Sequence, residues 1–195
     1  MNIIICPGIH EVELTKSFVK ELLSSNVEKY DDKLFNILVF PGEDVLALSA
    51  FHIVLFLREQ LRCAEGDRLG NKLESPVIFI GFSAGVVGAI GAAIKWQLLG
   101  GNVKALIAID GWGVPLWGNF PIHRLSHDYF SHWSSAILGS GEDNFYADPA
   151  VDHLSMWRSP QKVKGHWTDP SIGLSRPQNS LNAAEFLHLL LKRYE

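Results

Sequence analysis

The sequence predicts an α/β protein, a mostly parallel sheet with helices on both faces. Three observations carry this reading. Short apolar runs alternate along the chain with longer stretches of helical periodicity. The runs are apolar on consecutive positions, as in residues 76–80 and most of 103–109, which suits strands buried from both sides. At 195 residues, 47% of them hydrophobic, the chain can fill one substantial core and is short for two, so a single domain over 1–195 is expected.

Residues 2–6 read as a strand that stops at Pro7-Gly8, followed by a helix with Leu14, Phe18 and Leu22 on one face. Residues 34–40 make a second strand, closed by Pro41-Gly42, and 45–62 a long helix. The polar stretch 62–75, with Gly66 and Gly70, is a surface connection. A strand over 76–80 leads through a glycine-flanked turn into a helix over 86–99, which Gly100-Gly101 ends. The next strand, 103–109, stops at Asp110. Residues 111–141 then gather Trp112, Trp117, Phe120, Tyr129, Phe130 and Trp133, with Pro115 and Pro121 interrupting any long helix. A solvated linker does not carry so many large rings, so this segment is expected to be an inserted cap or pocket wall. Residues 144–147 and 161–164 are two further short strands, and 180–193 is an amphipathic closing helix with basic residues in its last turn.

Charge and composition exclude several function classes. A net charge of -4 with scattered Lys and Arg supplies no field for a polyanion, so nucleic acid is not an expected partner. No stretch approaches the ~20 apolar residues of a membrane span. Residues 1–8 carry no basic leader, so a cytoplasmic protein is expected. Cys6 and Cys63 fit reduced core residues better than a disulfide framework.

The chemistry is concentrated in Gly81-Phe82-Ser83-Ala84-Gly85, set between an apolar strand and a helix rich in Ala, Gly and Val. A serine on such a sharp strand-to-helix turn is held in a strained conformation with its hydroxyl exposed, and the crowding on both sides demands small neighbours. The plainer alternatives are a capping serine or a helix N-terminus that binds phosphate.

With this turn, the strand-helix order and Pro7-Gly8-Ile9-His10 after the first strand, the chain resembles the α/β-hydrolase superfamily over most of its length. The resemblance implies a three-layer sandwich and a serine hydrolase with its triad in the order Ser, acid, His. It also implies an oxyanion loop at Pro7–His10, although the family's frequent His-Gly pair is absent and the early antiparallel strands are missing.

A serine nucleophile needs an imidazole to take its proton and a carboxylate to hold that ring. His166 is the first choice for the base, since it follows the last candidate strand and precedes the closing helix; His153 competes, although Val151, Leu154 and Trp157 around it also suit a core histidine. Asp110 and Asp148 compete for the carboxylate, with Asp110 ahead because its strand is better defined. The amide of Ala84, with that of Ile9 or His10, is expected to hold a developing oxyanion. His123, His127 and His132 could suggest a metal, but no Cys or Glu joins them at familiar spacing, so aromatic packing is the better account and no metal or other cofactor is expected. The expected activity is hydrolysis of a small-molecule ester or thioester, with an apolar acyl or aryl group suggested by the aromatic segment. A hydrolase-like binding module and an acyltransferase are the alternatives.

Overall fold

The strand β1 (Asn2–Cys6) is buried on both faces because Ile3 and Ile5 point one way while Ile4 and Cys6 point the other, and all four are fully covered. It pairs in parallel with β2 (Asn36–Val39) on one side and β3 (Val77–Phe82) on the other. The structure is a computed structural model that describes residues 1–23, 35–42, 44–65, 73–139, 141–168 and 178–195. The sheet continues through β4 (Val103–Ile109), β5 (Ile122–Ser126) and β6 (Asn144–Ala147), all parallel, and ends with β7 (Lys164–Thr168) and β8 (Gln178–Asn182), both antiparallel. Among the described residues this makes one eight-stranded, mostly parallel sheet in the order β2-β1-β3-β4-β5-β6-β7-β8.

Helices cover both faces. On one, α1 (Val12–Leu23), α5 (Ser155–Arg158) and α6 (Ala183–Arg193) bury Phe18, Trp157, Phe186 and Leu187 against Ile3, Ile80, Ile107 and Phe145. On the other, α2 (Ala50–Glu65) and α3 (Gly85–Leu98) bury Ile53, Leu57, Ala89 and Trp96 against Ile4, Phe79 and Leu106. The small residues of α3 let it approach closely: a Cβ on Gly88 would fall 2.3 Å from the Ala47 carbonyl oxygen. This arrangement is compatible with a three-layer α/β sandwich. Among the described residues no helix is long and apolar enough to cross a membrane.

Several expected boundaries move, each for a local reason. The helix expected over 45–62 is split into a 3-10 turn, Asp44–Leu48, and α2, because the Ser49 hydroxyl takes up the His52 ring at 2.7 Å and the His52 amide at 3.5 Å and so starts a new helix. That helix runs on to Glu65, into the expected surface connection; residues 66–72, and the Cys63 side chain, lie outside the described residues. Residue 34, the start of the expected second strand, lies outside them too. The strand expected over 161–164 is a 3-10 turn, Pro160–Lys162, led by its proline, and the strand follows it as β7. The closing helix starts at Ala183 rather than 180, because Asn182 and Glu185 form a reciprocal capping box and the preceding residues pair as β8.

The segment 111–141, expected as an inserted cap or pocket wall, contributes to the sheet itself. Instead of lying wholly outside the sheet, this segment supplies β5, paired between β4 and β6, and then the helix α4 (Tyr129–Ala136). Its His123 and Arg124 are buried with hydrogen-bond partners. His123 meets the Tyr194 hydroxyl at 2.6 Å through Nε2 and accepts the Asp143 amide at Nδ1. Arg124 donates to the carbonyls of Gly139, Val114 and Leu138. Burial drives the His123 pKa down to about 4, so the ring is neutral and fits the sheet interior. Trp112, Trp117, Tyr129, Phe130 and Trp133 remain exposed around it.

Phe186 of α6 is fully buried against Phe145 and Trp167. Phe186→Ala is expected to lower the unfolding free energy by about 3–5 kcal/mol, read from the urea midpoint at unchanged slope.

Candidate active site

Register brings the site together. Phe82 of β3 pairs with Ile109 of β4, so the next residue on each strand, Ser83 and Asp110, emerge side by side at the carboxyl edge. Both have left the strand conformation in the same way, at φ 52°, a left-handed backbone that non-glycine residues seldom adopt. The Ser83 amide is held by the Ile109 carbonyl at 2.9 Å and the Asp110 amide by the Leu125 carbonyl at 2.8 Å, so neighbouring strands fix both turns.

The glycines around Ser83 are explained by distance. A Cβ on Gly85 would lie 2.2 Å from the Cys6 carbonyl oxygen and 2.3 Å from that of Pro7. One on Gly81 would lie 2.8 Å from Val86 Cα. The end of β1 therefore packs directly against the first turn of α3, and Gly8 sits so near that its Cβ would be 3.0 Å from that of Ser83. Ser83 does not cap α3: the N-cap position is Ala84, and no side chain caps it.

The Ser83 hydroxyl meets His153 instead. Its Oγ is 3.0 Å from His153 Nε2, and His153 Nδ1 is 2.8 Å from Asp110 Oδ2. An ionised carboxylate only accepts, so Nδ1 carries the ring proton and Nε2 is left with a lone pair toward the hydroxyl. The His153 ring lies flat on Phe82, with centroids 4.8 Å apart at 19°; Phe82 stacks on Trp157, and Trp157 on Phe18 at 3.7 Å and 7°. Trp157 is four residues beyond His153 and gives its ring N–H to the Thr15 hydroxyl.

Asp110 holds a second imidazole. Its Oδ1 accepts from the amide and from Nδ1 of His127, both at 2.9 Å. The carboxylate side chain is only 1% exposed. Burial is the largest influence on Asp110 and acts to raise its pKa, but the hydrogen bonds from His127 and His153, with the charge of His127, outweigh it and hold the carboxyl below its ordinary range. His127 is shifted the opposite way, raised first by its bond to Asp110 against the effect of burial. One side-chain nitrogen or oxygen from each of Asp110, His127 and His153 lies within 4.8 Å of the others, a spacing that their hydrogen bonds through Asp110 account for.

The other sequence candidates lie elsewhere. His166 is inside β7, not after it; its Nε2 pairs with Asp148 Oδ2 at 3.1 Å and its Nδ1 has no hydrogen-bond partner, so neither nitrogen meets Ser83. Asp148 is exposed and is occupied by that pair. His123, His127 and His132 keep separate company, since His132 stacks on Tyr146 while His123 is held by Tyr194 and Asp143. Among the described residues the amides of Ile9, His10 and Ala84 make no backbone hydrogen bond. The His10 ring sits edge-on to Phe82, and its buried Nε2 has no partner. A groove of about 1420 Å³ runs from Gly8, Ile9 and His10 along Val19, Ile37 and Val39. It borders the site at Gly8, whose Cβ would lie 3.0 Å from that of Ser83.

No family model matches this sequence, and no curated protein is similar enough to be paired with it.

A carboxyl whose pKa folding depresses contributes stability above its ordinary value of 3.8 and loses it as the pH falls through the lower, folded value. The unfolding free energy of the wild type is therefore expected to drop more steeply below that pH than that of Asp110→Asn, measured by urea titrations at stepped acid pH.

Proposed function

We propose that the protein is a serine hydrolase of the α/β-hydrolase kind, cleaving a carboxylic ester or thioester through an acyl-enzyme on Ser83. The observation that carries this is the unbroken chain of contacts from Ser83 Oγ through His153 to Asp110, on a serine in a left-handed turn between strand and helix. The three residues occur in the order Ser, acid, His, the order of that superfamily.

In this reading Ser83 Oγ attacks the substrate carbonyl carbon while its proton passes to His153 Nε2. The carbonyl π pair moves onto oxygen, and the resulting oxyanion is met by the amide of Ala84 with that of Ile9 or His10. Asp110 accepts from Nδ1 throughout, holds the ring's tautomer and stabilises its positive charge. Collapse expels the alcohol or thiol, which takes the proton from His153. Water then gives a proton to the same nitrogen and attacks the acyl carbon; collapse breaks the bond to Ser83 Oγ, which takes that proton back from His153 as the acid leaves. Phe82 under the His153 ring keeps it from turning away between the two steps. The groove beside Gly8–His10 offers Ile9, Val19, Ile37 and Val39 to an apolar acyl group, with Glu11, Lys16 and Lys20 also on its walls.

The test is labelling by a fluorophosphonate probe together with turnover of p-nitrophenyl esters. Wild type is expected to label and Ser83→Ala not to; label retained in the variant moves the nucleophile elsewhere, and no label on either protein favours a binding module. His153→Ala is expected to slow turnover by roughly 10²–10⁴-fold, while His166→Ala stays within a few-fold of wild type. The reverse pattern would exchange the two histidines.

A further inference from the structure

Asp110 is a carboxylate with two rings, and the mechanism above uses only one of them. We propose that His127 is a positioning residue that competes with His153 for a proton across their shared Asp110, and so keeps His153 in its proton-accepting form toward acid pH. The inference rests on the reading of Ser83, His153 and Asp110 given above.

Geometry makes the competition unavoidable. Oδ1 of Asp110 takes the amide and Nδ1 of His127 at 2.9 Å each, and Oδ2 takes Nδ1 of His153 at 2.8 Å. Solvent does not reach the carboxylate between the two partly exposed rings, and the ring centroids are 6.0 Å apart, near enough for their charges to interact. A second proton on either ring places a cation beside the other and draws charge from the oxygen that serves it, so protonation of one opposes protonation of the other.

The surroundings favour charge on His127. Asp110 faces His127 from the end of β4, Asp128 from the N-cap of α4 with an oxygen 3.5 Å from His127 Nε2, and Asp152 and His153 from the segment after β6. Two carboxylates thus lie within 3.5 Å of one imidazole, a third, Asp152, adds its charge, and the bond to Asp110 leads the upward shift of its pKa from 6.5. His153 Nε2 instead faces a neutral hydroxyl. A proton held on His127 therefore raises the electrostatic cost of one on His153 across Asp110.

The amide of an asparagine at 127 still donates to Asp110 but does not titrate, which separates the hydrogen bond from the charge. In His127→Asn the acidic limb of the kcat/KM profile is expected to move to higher pH by about one unit. Asp128→Asn keeps an oxygen to cap α4 and removes one of the anions around His127; a smaller displacement of the same sign is expected, and this variant decides the matter if His127→Asn does not fold. Limbs that superimpose on wild type in the folded variants overturn the inference. Carbon-13 NMR titration of the histidine rings gives a readout independent of turnover: a His127 midpoint above 6.5, with a His153 midpoint that rises in His127→Asn, supports the competition, and a His127 midpoint at or below 6.5, or a His153 midpoint that does not move, overturns it. Absence of Ser83-dependent labelling in wild type would overturn the hydrolase reading while leaving this titration to judge the pair.

Discussion

A carboxylate almost closed off from water is costly unless donors replace the water, and Asp110 has three: the amide and ring of His127 and the ring of His153. The candidate site is organised by that requirement. Ser83 and Asp110 are neighbours because β3 and β4 are paired, His127 lies just beyond the end of β5, and His153 comes from the segment after β6. Consecutive parallel strands therefore deliver the groups, and a carboxylate at the middle of the row ties them to one another.

The sheet can hold this row still because its two faces are packed independently. One face depends on α3 lying close enough to leave room only for glycine at the elbow, where backbone carbonyls of Cys6 and Pro7 occupy the space of a side chain. The other depends on the large rings of Phe18, Trp157 and Phe186. At the far edge Asp143 gathers the Trp167 ring N–H and the Arg193 guanidinium, and His123 gathers the Tyr194 hydroxyl, so the end of α6 is tied to β5 and β6. Polar residues in these strands are structural where their partners are complete.

Much of this was legible from residue order. The limits of β1, β4 and β6 follow from apolar runs cut off by Pro-Gly or by aspartate, and the position of Ser83 follows from its small neighbours. β5 was not legible, because Ile122–Ser126 carries a histidine and an arginine whose partners come from distant parts of the chain; hydropathy alone marks it as polar. The start of α6 was legible in principle, since Asn182 and Glu185 have the spacing of a capping box. His153 was harder. Its neighbours Val151, Leu154 and Trp157 suit a core histidine, and they do pack on the core; a ring can lie on that core with one face while its nitrogens serve polar partners. Nothing local marks His127 as a partner of Asp110, because the contact exists only once β4 and β5 are paired.

The stacked rings from Phe18 through Trp157 and Phe82 to His153 join the hydrophobic interior to the polar apparatus without any hydrogen bond between them. The imidazole thereby inherits its stiffness from oil-like contacts: a small loss of volume beneath α1 would be transmitted as a tilt of the ring, and the serine would feel it as misalignment. Packing of the interior and alignment of Ser83 with His153 are, along this column, a single problem.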